Sequence, residues 1–197
     1  MREMTTETKD EKQEKNGRKG AGAALRIGLL CLAVWLLGWK PAPENSVAFL
    51  DVGQGDCILV RTSSGQNYLF DCGSTSRSGV GKYVLIPYLK YYGIRELDGL
   101  FLSHPDADHI NGALELLETG GENQITIRQM ILPAIEEKAG EEQLGELLEA
   151  AGSASQDSPV AVGFLAAGEG WDCGGAVFTC LHPARGYGGE NVNAYSE

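Results

Sequence analysis

Two of the chain's three histidines stand five residues apart with two aspartates between them, in His104-Pro105-Asp106-Ala107-Asp108-His109. Four groups able to bind a metal or move a proton fall within six residues, so the backbone must turn tightly to aim them. The flanks indicate how. Leu97–Ser103 (LDGLFLS) reads as a buried strand that delivers His104. His109–Glu118 reads as a short helix with Ile110, Ala113, Leu114 and Leu117 on one face. Imidazole and carboxylate are borderline-to-hard donors that suit Zn²⁺ or Mn²⁺. Alternation along the loop would point His104 and Asp106 one way and leave Asp108 and His109 for a neighbouring position. Two ions about 3.5–4 Å apart would then clamp a water and a phosphoryl or acyl oxygen. The alternative is that Asp106 or Asp108 only caps the helix.

The surrounding pattern predicts an α/β (or α+β) chain with mixed sheets, because strand and helix signals alternate. Val47–Val52, Cys57–Thr62 and a strand starting at Asn67–Phe70 suggest a meander closed by the turn Ser63–Gln66. Val80–Tyr92 suits a helix despite Pro87. Further strands are expected at Ile125–Leu132, Val160–Leu165 and Ala176–Leu181, with an acidic helix over Glu141–Ala151. No internal repeat is visible.

Charge divides the chain unevenly. Residues 1–40 carry eight Lys/Arg and five Asp/Glu, whereas residues 41–197 carry eight and 22, a net of -14. Residues 1–20 lack periodic apolar positions and read as a disordered cytoplasmic tail. Residues 21–39 are apolar except for Arg26, long enough as a helix to cover about 28 Å, and preceded by Lys15, Arg18 and Lys19. Trp35 and Trp39 lie toward the far end. A single-pass transmembrane helix is expected, with the N-terminus cytoplasmic and the rest of the chain outside. The competing reading is a cleaved signal peptide, but no small-x-small site follows Leu37, and Pro41 crowds the position. A domain at -14 repels nucleic acid at long range unless metal or a local basic patch compensates.

The segment from His104 to Gly112 resembles the second motif of the metallo-β-lactamase superfamily, usually HxHxDH. The HxDxDH form is similar to that in the extracellular domain of ComEC-type DNA-internalisation (competence) proteins. Phe49–Asp56 (FLDVGQGD), Leu69–Gly73 (LFDCG), Leu85–Leu89 and Gly93–Asp98 carry the same likeness, which covers about residues 45–197. It implies the N-terminal part of an αβ/βα sandwich and a metal-dependent hydrolase that cuts phosphodiesters during DNA uptake. By the same resemblance, His104, Asp106, Asp108 and His109 would hold one or two ions, and Asp108 would also orient the attacking water. Asp51, Asp56 and Asp71 would orient the metal loop, with simple turn stabilisation as the alternative for Asp56. His182, at a strand end, is a further candidate ligand, against a purely structural role.

The family's later TGD-like and HHG-like motifs do not occur in these residues. The resemblance therefore implies a C-terminally truncated module, and DNA, other DNA-uptake proteins or a missing C-terminal half as partners. Two rival readings stay open: another hydrolase of the same fold, such as a lactonase or phosphoesterase, and an inactive module that binds only metal or a partner. A symmetric Ser63–Gln66 turn would set Cys57 opposite Cys72, making them a candidate disulfide, with two small buried hydrophobes as the alternative. Cys173 and Cys180 are offset from each other, and a bridge between them is not expected.

Overall fold

The computed structural model describes residues 24–36, 44–134, 141–154, 159–172 and 177–186. The chain divides into two units, Met1–Ala42 and Pro43–Glu197. In the first, residues 24–36 form a helix, α1. Among the described residues no helix is long and apolar enough to cross a membrane. Both ends of the expected 21–39 span lie outside the described residues.

The second unit is built on a six-stranded mixed sheet in the order β1-β2-β3-β5-β7-β8. β1 (Ser46–Phe49), β2 (Ile58–Arg61) and β3 (Asn67–Phe70) form the expected antiparallel meander. β5 (Gly99–Phe101), β7 (Gln129–Pro133) and β8 (Ala161–Leu165) then add in parallel. Parallel neighbours need long crossovers, and helices supply them. Residues Gly81–Leu85 and α2 (Ile86–Tyr91) lie between β3 and β5, α3 (Ala107–Thr119) follows β5, and α4 (Glu141–Ser153) follows β7.

The anticipated strands at Leu97–Ser103 and Ile125–Leu132 are each broken in two. β4 (Glu96–Leu97) pairs with β6 (Thr126–Ile127) in a small separate ladder. Asp98 follows β4, and its carboxylate accepts a hydrogen bond from the Asn67 backbone N–H at 2.8 Å. The helix through Pro87 is present but opens with a wide turn in which the Ile86 N–H reaches back to Gly81. A proline ring clashes with the carbonyl four residues before it, here Tyr83, and a wider turn relieves that contact. A strand not anticipated, β9 (Gly170–Asp172), pairs with β10 (Val177–Thr179).

Period-two alternation sorts the sheet's side chains onto two faces. Leu59, Leu69, Leu100, Met130 and Leu132 join Leu89, Ile110, Leu116, Leu117 and Leu147 in one core, so the helices cover one face. Tyr68, Phe101 and Ile131 point the other way, against Phe70, Leu165, Trp171 and Phe178. Phe70 stacks on Phe101 with ring centroids 4.7 Å apart, and Phe178 meets both of them.

β3 and β5 are parallel neighbours, so the chain leaves both at the same edge. Phe70 lies beside Phe101, which places Asp71 next to Leu102–Ser103. The carboxyl edge of parallel strands is where open α/β sheets put their sites. Two glycines let three segments meet there. A Cβ on Gly73 would stand 2.5 Å from the backbone nitrogen of His109. One on Gly55, which has φ +146°, would stand 2.6 Å from the Asp108 carbonyl oxygen.

Gly73→Ala should therefore cost about 1–3 kcal/mol, the usual penalty for forcing atoms into a packed site. Gly163→Ala, where an added Cβ meets nothing within 4 Å, serves as the control. Denaturant midpoints of both variants check this, and equal midpoints would refute it.

Candidate metal centre

The site grows from the chain's exit from β3. Asp71 adopts φ +52°, a left-handed conformation that aspartate tolerates better than most residues. Its N–H donates to the Phe101 carbonyl at 2.8 Å, which ties the ends of β3 and β5 together. The left-handed step turns its carboxylate onto the chain leaving β5. Oδ1 accepts the Ser103 N–H at 2.8 Å, and Oδ2 accepts the Ser103 hydroxyl at 2.7 Å. Oδ2 also lies 3.0 Å from His109 Nδ1. The Ser103 hydroxyl in turn lies 2.9 Å from His104 Nδ1.

The two imidazoles are brought together, with ring centroids 3.9 Å apart. His104 is buried, 4% exposed, at the end of the β5 loop. His109 sits in the first turn of α3. Asp106 is the N-cap of that helix, yet its side chain makes no capping hydrogen bond. Its Oδ2 stands 3.7 Å from His104 Nε2. This argues against the simple capping role for Asp106. Asp108 lies in the first turn of α3, and its carbonyl accepts the Asp56 N–H at 3.2 Å. Asp56 Oδ2 is 3.8 Å from His109 Nδ1, so this residue borders the centre as well as bracing a turn.

Asp51 is placed differently from the expectation. It faces Arg77 at 3.1 Å and accepts the Gly53 N–H at 3.3 Å, closing its own loop rather than orienting residues 104–109. The reason is geometric: Phe49 ends β1, an edge strand, and the loop from Asp51 to Asp56 covers the intervening distance. His182 is exposed and lines a cavity of about 400 Å³ together with Asp71 and Ser103. Ser103 went unnoticed in the sequence reading. Its only signal was its position directly before His104.

Cys57 and Cys72 are both buried and both free, which corrects the disulfide expectation. The β2–β3 register pairs Ile58 with Phe70, one residue away from the symmetric turn. The two thiols are hydrogen-bonded, and this contact, then burial, holds the Cys72 thiol well above its usual value. Cys173 lies outside the described residues.

The donor types fit a divalent cation: two imidazoles in contact, with carboxylates around them. Among the described residues, however, no three His, Cys, Asp or Glu side chains converge closely enough to hold an ion. The spacings above agree with that: Asp106 Oδ2 stands 3.7 Å from His104 Nε2, and the Nδ1 atoms of both rings are engaged by Ser103 and Asp71.

Electrostatics separates the two histidines. Burial, and then the neighbouring His109, push His104 below the ordinary histidine value, against the pull of Asp106, Asp71 and Asp108. Burial also acts to lower His109, but the Asp71 hydrogen bond and charge, with Asp108 and Asp56, outweigh it and raise the value. The linkage signs are therefore opposite. The stabilising contribution of His109 is complete below its unfolded value and is lost as pH rises through the raised folded one. That of His104 is complete above its unfolded value and is lost as pH falls through the lowered folded one. An NMR titration of the metal-free protein should show His104 titrating below an ordinary histidine and His109 above it. Asp71→Asn should bring His109 down. Two coincident, ordinary titrations would contradict this.

Residues 50–170 match the metallo-beta-lactamase superfamily. Competence protein ComA of Neisseria gonorrhoeae is 37% identical over 106 residues, covering 51% of this chain and 15% of that protein. Recombination protein 2 of Haemophilus influenzae is 40% identical over 93 residues, 47% of this chain and 12% of its own length. ComE operon protein 3 of Bacillus subtilis is 37% identical over 106 residues, 46% of this chain and 14% of its own. The chain thus spans a small fraction of the length of these relatives. The superfamily generally binds divalent metals, and the matched stretch contains the whole cluster from Asp51 to His109. With more than half of its residues matched, the chain belongs to the metallo-beta-lactamase superfamily.

Proposed function

We propose that the unit from Pro43 onward is a divalent-metal-dependent hydrolase of phosphodiesters, of the kind used in DNA uptake. The observation that carries this is the contact of His104 with His109, at 3.9 Å between ring centroids, at the exit of two parallel strands. Asp106 flanks one imidazole and Asp71 the other. His104, Asp106, Asp108 and His109 would hold the metal, one or two ions of zinc or manganese. Such an ion, when bound, supplies Lewis acidity toward water and toward a phosphoryl oxygen.

The protein's own groups have separate tasks. Asp71 fixes the His109 ring through Nδ1. Asp108 would orient the attacking water and accept its proton. Asp56, at the rim, would keep His109 from swinging outward. The aromatic face of the sheet lies next to the centre and, with Asp71 and Ser103, lines the cavity beside it.

Relatives named for competence and for recombination favour DNA as the phosphodiester. The expected span at residues 21–39 would hold this unit outside a cell membrane with the N-terminus cytoplasmic. Other DNA-uptake proteins, or a C-terminal half of the same fold, would be its partners. The net charge of -14 over residues 41–197 favours a second reading, a lactonase or small-molecule phosphoesterase, because a polyanion is repelled at long range.

The test is hydrolysis by the full chain, with Mn²⁺ or Zn²⁺, of single- and double-stranded DNA, a bis-aryl phosphodiester and an acyl lactone. Metal-dependent phosphodiester cleavage is expected, with Asp108→Ala lowering kcat at least about 100-fold, the lower end of what a positioned proton-transfer group contributes. Lactone turnover alone would favour the second reading. No turnover of any substrate, with no metal retained, would rule out the enzyme.

A further inference from the structure

We infer that Ser103 is a positioning residue that sets the tautomer of His104, carrying the influence of Asp71 to an imidazole that Asp71 itself does not reach. The position of one proton decides it. The Ser103 hydroxyl has one proton and two lone pairs. Its oxygen lies 2.7 Å from Asp71 Oδ2, 2.9 Å from His104 Nδ1 and 3.4 Å from His109 Nδ1. An ionised carboxylate only accepts hydrogen bonds. The short contact with Asp71 therefore takes the hydroxyl proton. Were that proton turned toward His104 instead, two oxygens would face each other at 2.7 Å with no hydrogen between them.

With its proton committed, the serine oxygen can only accept from His104. His104 then carries its hydrogen on Nδ1, which leaves the Nε2 lone pair open on the side of Asp106. The same carboxylate oxygen takes the Nδ1 hydrogen of His109 directly, at 3.0 Å. One aspartate thus presents Nε2 of both rings, one directly and one through serine. The main chain holds the relay in place, since the Ser103 N–H donates to Asp71 Oδ1 at 2.8 Å. Which nitrogen of a metal-binding histidine is free is set by the hydrogen bond its other nitrogen makes. The consequence for metal rests on the functional reading above; the tautomer does not.

The experiment uses the full chain, labelled with ¹⁵N in histidine and freed of metal by a chelator. Long-range ¹H–¹⁵N correlation reads which ring nitrogen is protonated. In the wild type, His104 is expected as the Nδ1–H form. In Ser103→Ala it should move toward the Nε2–H form, while His109, held by Asp71 directly, keeps its pattern. Ser103→Thr retains the hydroxyl and should restore the wild-type His104 signals. Zn²⁺ affinity should fall about 10–100-fold in Ser103→Ala and recover in Ser103→Thr, the size expected when a hydrogen-bond partner of a ligand is lost.

An Nε2–H form of His104 in the wild type overturns the inference, and that spectrum decides even where the alanine variant fails to fold. So does an alanine variant whose His104 signals do not change. The expected tautomer shift without metal-dependent cleavage by the wild type would leave the role of Ser103 standing and refute the proposed hydrolase.

Discussion

The centre depends on one carboxylate in a conformation few residues accept. Asp71 ends β3 at φ +52°, and that step turns its side chain across the exit of β5 instead of along its own strand. Left-handed backbone at a non-glycine residue costs free energy and persists only where surrounding contacts over-determine it. Here they do. The Asp71 N–H, both carboxylate oxygens and the two backbone bonds of Cys72 to α3 all lock the same turn. Replacing Asp71 removes the acceptor of three donors at once, and a buried donor left without a partner costs about 1–3 kcal/mol.

Around that anchor, three segments approach at backbone distance. The loop from Asp51 to Asp56, the turn from Asp71 to Arg77 and the start of α3 are laced by main-chain bonds, among them Asp56 to Asp108 and Gly73 to Asp56. Gly55 and Gly73 permit the approach because any side chain would strike backbone. The Asp51–Arg77 pair is mostly exposed, so it contributes loop closure more than stability. The result is a site held by main chain on one side and by the packed aromatic face on the other.

Much of this was legible in the sequence, for identifiable reasons. Four donors in six residues, between an apolar run and a helical period, marked the centre and its strand–turn–helix setting. The meander and the crossover helices followed from alternation and from periodicity. What escaped depended on register or on long-range partners. The β2–β3 register runs one residue off the symmetric turn, although the Cys57 and Cys72 thiols still meet. Asp98, captured by Asn67, cut a continuous apolar run into β4 and β5. Asp51 found Arg77, 26 residues on, which no local pattern announces. Ser103 was hidden because a single serine at a strand end carries no signal until the carboxylate across from it is known.

A divalent-metal centre formed by the histidines and aspartates of residues 104–109, with Asp71 behind them, would leave its signature in the scattering of the metal itself. X-ray absorption at the zinc edge of the zinc-loaded full chain reads that signature. The expected first shell is nitrogen and oxygen, with resolved imidazole scattering from two histidines, reduced to one in His109→Ala. A shell dominated by sulfur, or zinc that washes out of the wild type at stoichiometric loading, would contradict it.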